Sequence, residues 1–185
     1  MWALVEDNII TKIINQPKGM VIDDIRYSRK IFELWSEEEL NNVGLYSVIF
    51  DDSNKRNEEF YINTNQSFNY ADGQVTASYG SATGKEIDDV TIDGITTKGL
   101  KTIKKEIVKK QADTELSKTD WYVVRKADDG TLIPSAITEH RTAVRNKSNE
   151  METAINNALD IDALASLYIY TDGERPLGEF PILEI

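Results

Sequence analysis

Cysteine is absent from this chain of 185 residues, and histidine occurs only once. The lack of cysteine excludes disulfide bonds, a thiolate nucleophile and cysteine-ligated zinc. The single histidine, His140, has no second imidazole to share a zinc ion and no Ser–His pattern around it. We interpret His140 as a residue at the border of an apolar helical stripe.

Long apolar runs and an excess of positive charge are also missing. No run approaches the ~20 residues that a membrane helix needs, and MWALVEDNII has neither the basic lead nor the apolar core of a signal peptide. The formal net charge is −11, of which residues 1–97, with 17 acidic and 8 basic side chains, hold −9. Because phosphate and anionic lipid repel an acidic chain, nucleic acid and membranes are unfavourable partners.

Patterns of catalytic or cofactor-binding residues are equally scarce. A hydrolase would need two carboxylates converging in a cleft, whereas the acid pairs here lie in turn-like stretches typical of solvated loops. No loop has the ligand spacing of an EF-hand, and GSATGKE lacks the spacing of a phosphate-binding loop. The acid pairs are Asp23-Asp24, Asp51-Asp52, Asp88-Asp89 and Asp128-Asp129. The sequence therefore predicts a protein that is not an enzyme and has no cofactor or metal.

What is present predicts an α+β protein whose residues 1–83 form a β-rich N-terminal domain with hairpins and one short helix. Asp7-Asn8 and Asp72-Gly73 are turn pairs between β-prone runs, and LYSVIF (45–50) is a strong strand pattern. The stretch MVIDDIRYSRKIFELW also favours strands. Ser36 with Glu39 forms a capping-box pattern that predicts one helix over 36–43.

The period of the apolar residues changes after a predicted linker at 84–98. Recurrence at three- and four-residue steps predicts one helix over 100–117 and another over 135–158, the second starting at Pro134. The apolar residues of the first stripe are Ile103, Ile107, Val108, Ala112 and Leu116. Each helix has one apolar stripe, so 99–165 is predicted as an antiparallel helical hairpin. Residues 166–185 are predicted as an extended tail.

The break between these helices reads TDWYVVRKADDGTLIP. We expect Trp121 to fold back and close the end of the two-helix core, because burying a large ring is favourable. Residues 122–124 are expected to continue as an extended segment, and 128–130 to form a turn.

Two groups of residues could bind a partner. The lysines of the first predicted helix, Lys101, Lys104, Lys105 and Lys109, form either a solvated face or an electrostatic docking surface. Tyr61, Tyr70 and Tyr79, in or next to the predicted ribbon around Asp72-Gly73, are either core residues or exposed interface anchors. The sequence leaves both alternatives open.

The helical half resembles the C-terminal helical hairpin of tailed-bacteriophage tail fibre assembly proteins and tail assembly chaperones. The resemblance is carried by Thr119-Asp120-Trp121 after a lysine-rich helix and by Arg141 and Arg145 in ITEHRTAVRNKSNE. The first half is similar to phage proteins of marine hosts through ALVEDNIITKII, FELWSEEELNNVGLYSV and YINTNQSFNYADGQVTASYG.

The resemblance implies a role in assembling or decorating the phage tail by protein–protein binding, with Trp121, Arg141 and Arg145 at the contact. The implied partner is a tail fibre or another tail component, with three copies bound if that fibre is trimeric. As an assembly chaperone the protein would act in the host cytoplasm, and as an adaptor or tip it would stay in the virion tail. A structural virion component, or a receptor-binding module whose tyrosines stack on host glycans, is the alternative.

Overall fold

A computed structural model describes residues 1–183 of the chain. The fold is α+β, as predicted, with several sheets in the first half and long helices in the second. The chain divides into two compact units, Met1–Thr83 and Gly84–Ile185. The division lies at the start of the predicted linker.

A five-stranded mixed sheet forms the centre of the first unit. Its strands are β1 (Trp2–Glu6), β2 (Ile9–Ile14), β5 (Leu45–Asp51), β7 (Ser67–Ala71) and β8 (Gln74–Ser78). Their spatial order is β2-β1-β5-β8-β7. The β5–β8 pair is parallel and the other pairs are antiparallel.

The two predicted hairpins of this sheet are confirmed. Asp7 and Asn8 join β1 to β2 with φ of 50° and 62°, and Asp72 and Gly73 join β7 to β8 with φ of 51° and 75°. Positive φ is tolerated best by Gly and by short Asn and Asp side chains. The twist of such a turn matches that of the strands it connects.

Alternation along the strands gives the sheet two different cores. Leu4, Ile14 and Leu45 lie on one side. They are covered by a separate hairpin outside the sheet, formed by β3 (Met20–Ile22) and β4 (Ile25–Tyr27). The opposite side holds a separate buried cluster, formed by Ala3, Val5, Val48, Val75 and Ala77.

Two short helices, rather than the single one predicted, cover the first of these cores. The capping box is confirmed: the Glu39 amide donates to Ser36 Oγ at 3.2 Å, and the Ser36 amide donates to Glu39 Oε2 at 2.7 Å. It begins α2 (Glu37–Asn41), which is shorter than predicted. The stretch at 20–35 that favours strands forms β3 and β4 over 20–27, as predicted, but its later residues form a helix instead, α1 (Ile31–Leu34). Ile31 is buried, and the Phe32 ring packs on the Trp2 ring with their centroids 4.8 Å apart. These contacts outweigh the β propensity of the residues in α1.

The second unit contains the predicted antiparallel pair of helices, α3 (Leu100–Ser117) and α5 (Ser135–Asn157), each within one residue of its predicted end. Two more helices accompany them, α4 (Asp120–Asp129) and α6 (Ile161–Ser166). The expected extended segment at 122–124 is therefore wrong. A lone strand there would leave its backbone groups unpaired, whereas a helix satisfies them internally. Gly130, with φ of 78°, ends α4.

The stripe predicted for α3 was partly wrong. The residues that α3 buries are Leu100, Lys104, Val108 and Ala112, spaced four apart. Ile103 and Ile107 are instead 38% and 44% exposed. A four-residue step keeps one narrow line facing α5, and the isoleucines one position earlier fall outside that line.

The predicted linker and tail both contain structure. Residues 84–98 include a hairpin of β10 (Val90–Ile92) and β11 (Ile95–Thr97). Two further strands of two residues each, β6 (Tyr61–Ile62) and β9 (Thr83–Gly84), lie earlier in the chain. In the tail, Leu177 is buried and Thr171 pairs with Glu174 across a tight turn. Residues 184 and 185 of the predicted tail lie outside the described residues. Among residues 1–183, no helix combines the length and apolar character needed to cross a bilayer.

Candidate partner-binding surface

Three polar contacts fix the antiparallel alignment of α3 and α5. Lys105 Nζ lies 3.5 Å from Asn156 Oδ1, and Lys109 Nζ lies 3.3 Å from Glu152 Oε2. At the other end of the pair, Arg141 donates to the Leu116 carbonyl at 2.7 Å. The seam below these contacts is apolar, with Val108, Val144, Met151 and Ile155 buried.

A groove runs over this seam on one side of the helix pair. Its first part, of 330 Å³, has a floor of Ala112, Leu116 and Ser148, with Lys109 and Arg145 at its sides. Its second part, of 440 Å³, shares Asn149 with the first and includes Lys105 and Glu152. We call the lining residues of both parts the hairpin groove. It brings together three predicted partner-binding residues, Lys105, Lys109 and Arg145.

The floor of the hairpin groove was not predicted. Ala112 and Ser148 are small residues that face each other from neighbouring helices, and their size leaves the space that the flanking long side chains enclose. The sequence does show one small residue in the buried stripe of each helix. Whether these two residues meet and form a groove depends on the register of the two helices, which sequence spacing does not supply.

Arg141 does not line the groove. It is only 9% exposed, and the two N–H groups of its Nη1 atom are shared among three acceptors, Leu116 O at 2.7 Å, Thr119 Oγ1 at 2.7 Å and Asp120 Oδ1 at 2.8 Å. These acceptors span the end of α3 and the start of α4. The expectation that Arg141 contacts a partner is therefore corrected, because its guanidinium group is engaged in holding the helix junction.

Trp121 is not the residue that closes the helical core. Its side chain is 51% exposed on α4, with its ring 3.7 Å from the Tyr122 ring and the Arg125 guanidinium 4.8 Å from it. Thr119, two residues earlier, is 1% exposed and occupies the buried position. Thr119 is the N-cap of α4 and its side chain is held inward by Arg141, whereas Trp121 lies in the first turn of the helix on its exposed surface.

The surface of α4 is unusually open for a helix in a compact unit. None of its ten residues is buried. Trp121, Val123 and Val124 expose apolar side chains, and Arg125 and Lys126 supply positive charge next to them. Tryptophan and arginine are enriched among residues that dominate binding energy. We call Trp121, Val123, Val124, Arg125 and Lys126 the α4 surface.

The two remaining predicted lysines are not free for docking. Lys104 is 3% exposed and lies over the Tyr168 ring, 4.5 Å from its centroid. Lys101 pairs with Asp88 Oδ1 at 3.1 Å, with 15% of its side chain exposed. The prediction of one continuous lysine face is thus wrong for Lys104, whose four-residue spacing from Leu100 and Val108 places it on the buried line.

The predicted tyrosines lie in the first unit and are engaged there. Tyr61 is buried, with the Arg56 guanidinium 4.0 Å from its ring centroid and 2.8 Å from its hydroxyl. The Tyr70 and Tyr46 hydroxyls are hydrogen-bonded at 3.0 Å, and this bond, together with burial, raises the pKa of Tyr46. Tyr79 is half-buried with Lys55 5.7 Å from its ring. The tyrosine ring faces on which a sugar would stack are therefore largely covered by neighbouring side chains.

The titratable groups play structural roles. The Gly99 amide, and then the Thr102 hydroxyl, bond the Asp89 carboxyl and lower its pKa. His140 is buried as a core residue of α5, and its Nε2 atom has no hydrogen-bond partner. Within residues 1–183, no three His, Asp or Glu side chains converge to hold a metal ion.

Comparison of the chain with protein-family models, with curated proteins and with solved structures finds no match.

Proposed function

We propose that this chain is a bacteriophage tail protein that binds a tail fibre or another tail component and catalyses no reaction. The observation that carries the proposal is the hairpin groove, where Lys105, Lys109 and Arg145 flank a floor of small and apolar residues. The same helical hairpin carries the resemblance to phage tail assembly proteins. On a trimeric fibre, three copies would bind.

The chemistry of the groove indicates its ligand. Three cationic side chains share it with two acids, Asp113 and Glu152, so its charge is positive in a chain of net charge −11. Positive rims attract acidic groups and accelerate association, while Ala112 and Leu116 in the first part of the groove can contact small aliphatic side chains. The groove therefore fits an acidic segment of the partner with apolar residues on one side.

The α4 surface supplies a second contact in the same unit. Its half-exposed Trp121 and the exposed Val124 offer apolar area, and Arg125 beside the rings adds a cation. Burial of an exposed tryptophan at an interface commonly dominates the binding free energy. Binding through both surfaces explains why this helix keeps apolar side chains in contact with solvent.

A binding experiment tests the proposal directly. The full chain is titrated against each separately expressed tail protein of the same phage. The double variant Lys109→Ala with Arg145→Ala should weaken binding to the partner, and added salt should weaken it further for the unaltered chain. Lys110→Ala is the matched control, since Lys110 is an exposed lysine of the same helix outside the groove. Absence of binding to every tail protein would overturn the proposal.

The proposed function has two versions, which differ in whether the protein leaves the tail after assembly. An assembly chaperone would cover fibre surface until the fibre closes, in the host cytoplasm, and then depart. A retained adaptor would remain in the virion tail. The resemblance favours the assembly role. Mass spectrometry of purified particles decides between them, because only a retained protein is present in stoichiometric amounts.

A further inference from the structure

Arg125 on α4 carries a guanidinium group that contacts no hydrogen-bond acceptor within residues 1–183. Its Nε atom is one of two buried side-chain nitrogens in this part of the chain that lack a hydrogen-bond partner. Nearly all buried donors in folded proteins are bonded, so an unbonded one requires an explanation. Arg141 shows the usual arrangement, since its Nη1 atom alone reaches three acceptors.

The acids at the end of α4 do not neutralise Arg125. The Asp129 carboxyl, one turn later, is held by Thr131, whose amide donates to Oδ1 at 2.8 Å. The hydroxyl and the amide of Thr131 lower the pKa of Asp129, and Arg125 adds only a smaller electrostatic attraction. Asp128 forms no ion pair with Arg125 either. The guanidinium therefore keeps its charge and its donors for another molecule.

An aromatic platform holds this guanidinium in place. The rings of Trp121 and Tyr122 lie with their centroids 3.7 Å apart, and the Arg125 guanidinium carbon lies 4.8 Å from the first centroid and 5.5 Å from the second. A cation over a ring is attracted by the negative ring face, and this contact consumes none of its N–H donors. The rings thus position the group in advance, which reduces the entropy lost when a ligand binds.

The geometry of the donors and the neighbouring side chains indicate the ligand. A planar guanidinium matches a planar carboxylate through two parallel hydrogen bonds, and the Nη atoms of Arg125 are not among the buried atoms. A phosphate dianion is less favourable beside Asp128 and Asp129 in a chain of net charge −11. Trp121 and Val124, 51% and 66% exposed, share the helix face with Arg125, because residues three and four apart are neighbours. They can cover an aliphatic side chain next to the carboxylate.

We propose that Arg125 binds an Asp or Glu carboxylate of an acidic segment in a partner protein, with Trp121 and Val124 packed on an adjacent aliphatic residue of that segment. This goes beyond the proposed function, because it requires only side chains of α4 and holds whether or not the partner is a tail protein. None of these three residues lines the hairpin groove.

A titration followed by nuclear magnetic resonance tests this site on the full chain. The probe is a blocked pentapeptide in which leucine alternates with glutamate, and its control has glutamine in place of glutamate. The signal is the indole N–H of Trp121, assigned with Trp121→Phe, while Trp2 and Trp35 in the first unit serve as internal references. The glutamate peptide should shift the Trp121 signal at lower concentration than either the glutamine peptide or inorganic phosphate. No shift, an equal response to the glutamine peptide, or tighter binding of phosphate would overturn the proposal.

Variants of Arg125 separate recognition from a structural role. Arg125→Gln should weaken binding of the glutamate peptide by at least ~10-fold, the effect of losing one charge-assisted hydrogen bond. Arg125→Lys should also weaken it, because an ammonium group cannot form the two parallel bonds. Lys110→Ala, a change at an exposed lysine of α3, is the matched control and should bind normally. Full binding by Arg125→Gln, or a lowered Tm with binding intact, would contradict the assigned role.

The hairpin groove is itself expected to bind acidic segments, so the titration is repeated with the double variant Lys109→Ala and Arg145→Ala. The shift of the Trp121 signal should persist there, because the cations removed belong to the groove. A shift that disappears would assign the response to the groove and overturn the Arg125 site while supporting the proposed function. A shift that persists when no tail protein binds the chain would support the Arg125 site and count against the proposed function.

Discussion

Arg141→Ala tests how the junction between α3 and α4 is held. The guanidinium is the common donor to Leu116 O, Thr119 Oγ1 and Asp120 Oδ1, all within 2.8 Å. Alanine removes all three bonds and leaves the buried Thr119 hydroxyl without this donor. The junction should then lose its fixed geometry.

The magnitude follows from the exposure of each acceptor. Hydrogen bonds from a charged donor contribute ~1.5–3 kcal/mol each where they are protected from water, which applies to Leu116 O and Thr119 Oγ1. The Asp120 side chain is 57% exposed, so that ion pair adds at most ~1 kcal/mol. Water entering the vacated space recovers part of the loss. We expect a net destabilisation of about 3 kcal/mol, or roughly 10–20 °C in Tm for a unit of this size.

Urea unfolding followed by helical circular dichroism measures this loss, because the long helices lie in the second unit. Arg145→Ala is the matched control: Arg145 lies one turn later on α5 and is exposed, with a long 3.4 Å contact to Arg141 O. It should change the free energy of unfolding by less than ~0.5 kcal/mol. A loss under ~1 kcal/mol in Arg141→Ala, or equal losses in both variants, would refute the assigned role of Arg141.

Three further predictions concern other single side chains. Trp121→Ala should cost no more than ~1 kcal/mol in urea unfolding, because the ring is half exposed, whereas a loss of the ~3–5 kcal/mol typical of buried rings would place it in the core. Ser36→Ala should destabilise the first unit by ~1 kcal/mol through loss of the capping box, and Ser36→Asn should retain most of that stability. Asp89 has a lowered folded pKa, so its stabilisation is present above its ordinary value of 3.8 and is lost as pH falls through the folded value. Asp89→Asn should therefore reduce the dependence of the second unit's urea midpoint on acid pH, and an unchanged dependence would contradict this role.

Local chemistry was sufficient to predict much of the fold. Asp7-Asn8 and Asp72-Gly73 marked their hairpins because few other residue pairs tolerate two successive positive φ angles. Ser36 and Glu39 marked a helix start because their reciprocal bonds involve only residues three apart. The apolar periods predicted α3 and α5, since each long amphipathic helix repeats its signal over several turns.

The binding surfaces required tertiary information. The register of α3 against α5 decides that Lys105, Lys109 and Arg145 share a groove while Lys104 is buried and Arg141 bonds the junction, and periodicity within one helix does not contain that register. Likewise, Tyr-Val-Val favours a strand locally, yet residues 120–129 form a helix because no neighbouring strand is there to satisfy their backbone groups.

The amino-acid sequence by itself determined the turns at Asp7-Asn8 and Asp72-Gly73, the capping box at Ser36, the two long helices and the acidic, cysteine-free character of the chain, because each depends on composition or on residues close together along it. Only the tertiary structure decided which side chains meet. Thr119 is buried in the position that was expected for Trp121, and Trp121 is exposed instead. The faces of α4 and of β10–β11 are also open to solvent. Burial is a property of packing between distant segments, so Ile22 and Ile92, which hold the same place in hairpins of the same register, end in opposite environments.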